Sequence, residues 1–247
     1  MRVTRIHVAA ALTEGAEITL PAQAGEHLTR VLRLEAGAAL TLFNGAGGEY
    51  AATLGARSGK GVLARVLRHD PVERESPLSI TLLQGVARGE RMDLILQKAT
   101  ELGVARIVPV LAERSVVKID AKQRARKLEH WQAVAIAACE QCGRNRVPVV
   151  AEAAPLGDAI AQLPAGTARA LLVADGGQSL TMFATRAAGS PLALLIGPEG
   201  GLAGNERQFA LANGFEGCRL GPRILRTETA GLAALAALQA TSGDFTS

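Results

Sequence analysis

Aromatic residues are scarce in this chain of 247 residues, of which Phe, Trp and Tyr make up 3%. Hydrophobic residues nevertheless make up 48%, so Ala, Leu and Val must pack most of the core. Only three cysteines occur, and a small, odd number of thiols favours a reducing compartment over a disulfide framework. No apolar run approaches the roughly 20 residues that span a membrane, and the run at residues 7–12 is too short for a signal peptide. These absences predict a soluble, cytoplasmic protein.

Ligands for a metal ion are also few. Cys139-x-x-Cys142 has a spacing that zinc sites use, but zinc requires further ligands at suitable positions. The remaining candidates are scattered along the chain: Cys218, His7, His27, His69 and His130. We therefore expect no metal site, and the sequence supports no Ser-His-Asp or Cys-His nucleophile arrangement.

The net charge is +4, from 27 basic and 23 acidic residues. Residues 113–146 alone contain eight Lys or Arg and four Asp or Glu, so this segment carries an excess equal to that of the whole chain. A basic patch is the electrostatic footprint expected for a polyanionic partner. The alternative, which charge alone leaves open, is a solvated helix face.

The sequence pattern changes after residue 78. Residues 1–70 contain short β-like runs around a glycine-rich turn at 44–48, which predicts a small β-barrel. The charged segment 69–77 contains two prolines and is the best linker candidate, and we place a boundary in it between domains 1–72 and 73–247. Beyond residue 78, apolar runs alternate with helical stretches, including a long one from about Ala121. This alternation predicts an α/β domain with a parallel sheet.

The stretch "LLIGPEGGLAGNE", residues 194–206, contains a glycine-rich loop. This loop directly follows the apolar run "LALLI". Ligands of parallel sheets bind beyond the carboxyl ends of the strands. Gly197 permits a sharp exit, Pro198 stiffens the turn, and Gly200 and Gly201 let a ligand approach the backbone. The loop is not GxGxxG, so dinucleotide binding is weakly supported. A binding loop is favoured over a plain turn.

A second stretch, "LGPRILRTETAGLAALAALQA" at residues 220–240, turns again at a Gly-Pro pair. We predict that Thr227 caps the closing helix and that Glu228 lies in its first turn, where a carboxylate is favoured. Arg223, Arg226 and Glu228 are either a surface ion-pair group or part of a site. Their position between two tight glycine turns favours a site.

These two stretches closely resemble the bacterial 16S ribosomal RNA (uracil-N3)-methyltransferases of the SPOUT superfamily. The resemblance continues in order along the chain, in "RVLR" (30–33), "ARGE" (87–90), "QKATELG" (97–103), "ERSVVK" (113–118) and "ACEQCGRNRVP" (138–148). Many members carry Ser where this chain has Cys142, which argues against an essential thiol.

The resemblance implies a PUA-like β-barrel over residues 1–72, followed by a SPOUT-type parallel sheet over residues 73–247 with a C-terminal trefoil knot. Knots are rare among folds, and periodicity does not predict one. The resemblance also implies a homodimer and S-adenosylmethionine held in the knot, between the loops 197–202 and 220–229 and the strand end at 172–174. The residues so assigned to the cofactor are Leu172, Ala174, Ile196, Gly197, Pro198, Glu199, Gly200, Gly201, Leu220, Gly221, Leu225 and Thr229.

The implied reaction methylates uracil N3, whose proton must leave before or during attack. Arg226 is our choice for the cation that stabilises the developing uracil oxyanion. Glu228 is either the proton acceptor or a helix-capping residue that orients Arg226, and Glu199 is assigned to ligand positioning.

N3 lies on the Watson–Crick edge, so the target base must be unpaired or extruded, and the surrounding RNA must be held mostly through phosphates. The implied substrate is 16S ribosomal RNA, for which we favour the small ribosomal subunit over free RNA. The predicted phosphate contacts are Arg5, Arg30, Arg33, Arg114, Lys118, Arg144 and Arg146.

Other hypotheses are a methyltransferase for another RNA, a non-catalytic RNA-binding module that keeps the fold, and a nucleotide-dependent oxidoreductase. The intact "GPEGG" and "ILRTETA" motifs disfavour a non-catalytic module, because a decayed site would have lost glycines or charges. The absence of GxGxxG and of its downstream acidic residue disfavours the oxidoreductase.

Overall fold

The computed structural model describes residues 3–59 and 61–246. The chain forms two compact units. The first contains the residues up to Glu75 together with Cys139–Val147, and the second contains Ser76–Ala138 and the residues from Pro148 onwards. The first unit thus includes a short segment that is distant in sequence.

The first unit contains a five-stranded sheet with the strand order β1-β3-β4-β5-β2. Only β1 and β3 pair in parallel, and the other neighbours are antiparallel. Val62, Ala64 and Val66 alternate with more exposed residues along β5, so one face of this strand packs on the core. The strands are β1 Thr4–His7, β2 Glu17–Thr19, β3 Ala39–Phe43, β4 Glu49–Ser58 and β5 Gly61–Asp70.

A helical segment connects β2 and β3, where the sequence pattern predicts only short strands. It consists of the helix α1, Ala22–Glu26, and a π-helical turn over His27–Val31, which buries Leu28 completely. Arg33 follows with a φ of 53°, the left-handed region that non-glycine residues rarely adopt. The segment is short, which explains why its periodicity gave no signal.

The second unit contains a seven-stranded sheet in which every pair of neighbouring strands is parallel. This confirms the predicted parallel α/β arrangement. Its strands are β6 Ile80–Gly85, β7 Arg106–Val110, β8 Val149–Val150, β9 Ala168–Leu172, β10 Gln178–Ser179, β11 Leu192–Ile196 and β12 Phe215–Arg219. Its helices are α2 Glu90–Glu101, α3 Ala121–Cys142, which ends in the first unit, α4 Leu156–Ala161, α5 Leu180–Arg186, α6 Gly204–Ala212 and α7 Thr227–Ser242.

The strand order is β10-β12-β9-β11-β6-β7-β8. Every residue of β6 and β11 is buried, as expected for central strands of a parallel sheet covered on both faces. Because β11 lies between β9 and β6, and β12 lies beside β9, the carboxyl ends of these strands are neighbours. The segments that follow β9, β11 and β12 are therefore brought to one edge of the sheet. Among the described residues, no helix is long and apolar enough to cross a membrane.

Candidate active site

A cavity of about 610 Å³ lies where β9, β11 and β12 end and α7 begins. Arg226 and Glu228, the two residues predicted to be catalytic, both line it. So do ten of the twelve residues predicted to bind the cofactor, namely Leu172, Ala174, Ile196, Gly197, Pro198, Glu199, Gly201, Leu220, Gly221 and Leu225. Three segments selected from the sequence thus meet at one cavity.

The other two predicted cofactor residues, Gly200 and Thr229, are exposed and are not among the lining residues. Gly200 lies against Arg114, since a Cβ atom at Gly200 would be 3.0 Å from the Arg114 carbonyl oxygen and 3.1 Å from Arg114 Cβ. The small size of Gly200 therefore allows close packing of the loop on Arg114. Thr229 lies in the first turn of α7.

The loop after β11 packs closely on the end of β6. A Cβ atom at Gly85 would lie 2.4 Å from the Pro198 nitrogen, so only glycine allows this approach. Within the loop, Gly201 has a φ of 68°, which glycine adopts without strain, and its N–H donates to the Pro198 carbonyl at 2.8 Å. The shape of the loop depends on Gly85, which the sequence analysis did not single out.

Thr227 does not cap α7, contrary to the prediction. The helix begins at Thr227, Arg226 is the N-cap residue, and no side chain caps the helix. The Thr227 hydroxyl instead donates to the Gly197 carbonyl at 2.6 Å and accepts a hydrogen bond from Gln84 Nε2 at 3.0 Å. Gln84 is completely buried at the end of β6. A buried hydrogen-bonded chain therefore ties the start of α7 to the first residue of the loop. Gln84 is a polar residue within the buried strand sequence "ITLLQG", and this was the sequence feature that could have indicated a buried hydrogen bond.

Arg91, on α2, lies between the two carboxylates that line the cavity. Its Nη1 atom donates to Glu199 Oε1 at 3.1 Å, and its Nε atom lies 3.9 Å from Glu228 Oε1. The Arg88 backbone N–H also donates to Glu199 Oε1, at 3.0 Å. Arg91 itself lines the cavity, although nothing in its local sequence distinguished it from other exposed arginines on a helix.

The two carboxylates differ in their hydrogen bonding. Burial alone would raise the pKa of Glu199, but hydrogen bonds from the backbone N–H groups of Arg88 and Glu199, and the hydrogen bond and charge of Arg91, lower this pKa below its ordinary value. Glu199 is therefore ionised at neutral pH. Glu228 is mostly buried, and its Oε2 atom has no hydrogen-bond partner among the described residues. A carboxylate oxygen able to accept a proton or a hydrogen bond is thus present at the cavity.

Arg223 and Arg226 supply positive charge to the same cavity. Both side chains are exposed, and neither makes an ion pair or hydrogen bond within the described ranges. Arg226 and Glu228, two residues apart in sequence, both line the cavity. An unpaired cation and an unpaired acceptor at one cavity suit a reaction that removes a proton and develops negative charge.

Two of the residues predicted to contact RNA, Arg5 and Arg144, are buried in the first unit, which contradicts their assignment to an exposed surface. Arg5 pairs with Glu49 and donates to Asn145 Oδ1 at 2.6 Å. Arg144 Nε lies 3.0 and 3.1 Å from the two oxygens of Glu75. These contacts connect Cys139–Val147 to the rest of the first unit. Both guanidinium charges are thus paired with carboxylates inside this unit.

The other five predicted RNA contacts are exposed: Arg30, Arg33, Arg114, Lys118 and Arg146. Arg30 and Arg146 form exposed ion pairs with Glu26 and Glu73, at 3.3 and 2.9 Å. Such pairs are weak and can be exchanged for a phosphate. The side chains of Arg33 and Arg114 have no partner in the described part of the chain.

Two of the three cysteines, Cys139 and Cys218, are buried. Burial raises the pKa of Cys139 to about 12 and the pKa of Cys218 to about 11, so both are protonated thiols at neutral pH. Within residues 3–59 and 61–246, no group of three or more His, Cys, Asp or Glu side chains is placed to hold a metal ion.

Comparison with known sequences covers nearly the whole chain. Residues 74–239 match the family described as the RNA methyltransferase domain, and residues 20–67 match the RNA methyltransferase PUA domain. The chain is 31% identical over 233 residues to "Ribosomal RNA small subunit methyltransferase E" of Bacillus subtilis, which spans 92% of this chain and 91% of that protein.

Solved structures match the fold equally well. Ribosomal RNA small subunit methyltransferase E from Neisseria gonorrhoeae, bound to S-adenosyl methionine, is 38% identical with a TM-score of 0.90, over 99% of this chain and 100% of that one. A Legionella pneumophila protein in complex with the cofactor SAM is 39% identical with a TM-score of 0.90, over 99% and 100% of the two chains.

Proposed function

This chain belongs to the RNA methyltransferase family that includes the small-subunit ribosomal RNA methyltransferases E, and we propose that it methylates N3 of a uridine in 16S ribosomal RNA. It is an S-adenosylmethionine-dependent RNA methyltransferase with a PUA-like N-terminal domain. The observation in this chain that supports the proposed chemistry is that Arg226, which has no partner among the described residues, and Glu228, whose Oε2 atom has none, line the same cavity.

The residues around the cavity fit S-adenosylmethionine. The volume of about 610 Å³ lies in the range of small-molecule sites, roughly 300 to 1,000 Å³. Apolar side chains of Ile196, Leu220 and Leu225 lie beside the backbone of two glycine turns, a combination that suits a flat base flanked by polar groups. We propose that these residues hold the cofactor and that Glu199 positions it. When bound, S-adenosylmethionine supplies an electrophilic methyl group.

The roles of the chain's own residues follow from the chemistry of uracil. N3 would form its bond to the methyl group as the bond between that methyl group and the cofactor sulfur breaks, while the N3 proton passes to Glu228. Until the N3–methyl bond has formed, loss of the proton places negative charge on the uracil carbonyl oxygens. Arg226, whose guanidinium is unpaired, stabilises that charge. The hydrogen bond from Thr227 to Gly197 keeps this segment next to the cofactor loop.

We place the RNA on the exposed basic residues Arg30, Arg33, Arg114, Lys118 and Arg146, and leave out the buried Arg5 and Arg144. Contacts with phosphates hold the substrate in a sequence-independent manner, while the target base leaves its stack to expose N3. Residues 1–72 are proposed as the RNA-binding domain and residues 73–247 as the methyltransferase domain.

The resemblance also supports a trefoil knot, a homodimer, action within the small ribosomal subunit and a cytoplasmic location, all of which we propose. The knot would be formed by the loop after β11 and the segment after β12, which Thr227 connects by its hydrogen bond to Gly197. Size measurement by light scattering tests the homodimer. A protein that is monomeric in solution and still binds S-adenosylmethionine would rule out the homodimer.

The function is tested by mass-spectrometric mapping of methylated uridines in ribosomal RNA from cells with and without this protein. We expect one 3-methyluridine of 16S ribosomal RNA to disappear when the protein is absent and to return with the wild-type gene. An unchanged set of methylated uridines would contradict the proposed reaction. Calorimetry with S-adenosylmethionine and with NAD separates a methyltransferase from an oxidoreductase and from a module that binds neither.

A further inference from the structure

Arg91 lines the active-site cavity from α2, at a position between the motifs "ARGE" and "QKATELG" that neither motif includes. It belongs to α2, whereas Glu199 follows β11 and Glu228 lies in the first turn of α7. Its guanidinium is 3.1 Å from Glu199 Oε1 at one nitrogen and 3.9 Å from Glu228 Oε1 at another. One side chain thus joins three segments that are far apart in sequence.

The planar guanidinium suits this position. It presents five N–H donors in a rigid fork, so it can interact with two carboxylates in different directions, which a single ammonium group does less well. Arg91 also places a positive charge between two carboxylates that would otherwise repel each other. Glu199 has a second donor in the Arg88 N–H, but no other ion pair to Glu228 occurs among the described residues.

The contact leaves the two oxygens of Glu228 in different states. Oε1 faces Arg91 at 3.9 Å, which is an ion-pair distance but too long for a hydrogen bond. Oε2 is buried and has no partner in the described ranges. A buried acceptor without a partner is costly unless a ligand satisfies it. The arrangement therefore orients the carboxylate without occupying its second oxygen.

We propose that Arg91 is a positioning residue of the methyltransferase site. It holds the Glu199 loop and fixes the orientation of Glu228 at the cavity, so that this carboxylate can take the N3 proton of the substrate uracil. This proposal rests on the proposed function, because it concerns the same cavity and the same reaction.

A purely structural surface ion pair predicts a different outcome. The Arg91 side chain is 44% exposed, and exposed pairs contribute little to stability. Removal of a structural pair would change the unfolding temperature slightly and leave the rate of methyl transfer unchanged. Removal of a positioning residue would slow the reaction even when RNA and cofactor are saturating, because small displacements of reacting groups reduce rates strongly.

The test compares Arg91→Ala, Arg91→Lys and the control Lys98→Ala. Lys98 also lies on α2 and pairs with Glu101 at 2.8 Å, but it does not line the cavity. The measurements are single-turnover methyl transfer at saturating RNA and cofactor, calorimetric affinity for S-adenosylmethionine, and thermal unfolding. We expect Arg91→Ala to lose about tenfold to 100-fold in rate, Arg91→Lys to recover part of the loss, and Lys98→Ala to match the wild type.

A double variant tests whether Arg91 acts through Glu228. If it does, Arg91→Ala combined with Glu228→Gln is about as slow as Glu228→Gln alone. Independent, multiplicative losses would overturn the proposal, as would a wild-type single-turnover rate for Arg91→Ala. A wild-type protein that binds no S-adenosylmethionine and methylates no RNA would instead overturn the proposed function and this inference with it.

Discussion

Replacing Thr227 by Val tests the buried hydrogen-bonded chain that connects α7 to the cofactor loop. The two side chains are nearly equal in size, but Val lacks the hydroxyl that donates to the Gly197 carbonyl at 2.6 Å and accepts from Gln84 at 3.0 Å. Thr227 is 8% exposed, so water cannot easily replace the hydroxyl. Gln84 Nε2 keeps its second acceptor, the Gly85 carbonyl at 3.1 Å, whereas the Gly197 carbonyl loses this donor.

The expected cost is about 2 kcal/mol, since a buried polar group left unsatisfied costs about 1 to 3 kcal/mol. For a domain of this size, the corresponding fall in unfolding temperature is about 4 to 8 °C. We also expect S-adenosylmethionine to bind about tenfold more weakly, because the loop of the variant is less ordered before the cofactor binds. Ordering that loop on binding would cost about 1.4 kcal/mol, which corresponds to a tenfold change in the dissociation constant.

The assay is thermal unfolding with and without saturating S-adenosylmethionine, combined with calorimetric titration of the cofactor. A bound ligand raises the unfolding temperature of the unit that binds it. The unfolding transition that shifts to higher temperature with the cofactor therefore belongs to that unit. Thr227→Ser is the control, because it keeps the hydroxyl and loses only a methyl group, which costs about 0.8 kcal/mol. If Thr227→Val matches Thr227→Ser in both unfolding temperature and cofactor affinity, the hydrogen bond does not organise the loop.

Three further changes test the proposed roles of individual arginines. Arg226→Ala should lower the rate of single-turnover methyl transfer by about 100-fold to 1000-fold. Arg226→Lys should have an intermediate rate, and cofactor affinity should be nearly unchanged in both variants. A near-normal rate for Arg226→Ala would show that another residue, such as Arg223, supplies the cation. Arg33→Gly should stabilise the first unit by roughly 1 kcal/mol, because glycine adopts the φ of 53° without strain. The slope of log RNA affinity against log salt concentration should also fall by about 1. An unchanged slope would exclude a phosphate contact by Arg33. Arg144→Ala should destabilise the protein by about 3 kcal/mol, because it removes the buried guanidinium that neutralises the partly buried carboxylate of Glu75. The RNA affinity of the folded variant should be retained. Loss of RNA affinity without loss of stability would return Arg144 to the RNA surface.

The walls of the cavity were predictable because their signals are local. A glycine-rich loop directly after a buried strand marks a binding position in a parallel sheet, and both "GPEGG" and the Gly-Pro turn at Gly221 can be located without knowledge of the fold. The alternation of apolar runs and helices predicted the parallel sheet for the same reason. The strand order was not predictable, because it depends on which strands pair across long stretches of sequence.

The residues that support those walls were missed because their partners are distant. Gln84 and Thr227 are separated by 143 residues, and Arg91 and Glu199 by 108. Thr227 has the residue type of a helix cap, but Arg226 holds the N-cap position. The Thr227 hydroxyl instead donates to the Gly197 carbonyl of a segment that is distant in sequence. Local preference was overruled by a tertiary hydrogen bond in this case.

The arginines show most clearly what the sequence leaves undetermined. Arg144 and Arg226 both occur in charged stretches near glycines, and both were predicted to contact RNA or its reacting base. Arg144 faces Glu75, a carboxylate 69 residues earlier, so its charge is satisfied inside the first unit. Arg226 has no such partner among the described residues, and the carboxylates that line the same cavity, Glu199 and Glu228, pair with Arg91 of α2. We therefore expect the charge of Arg226 to be available to the negative charge that develops on the substrate base.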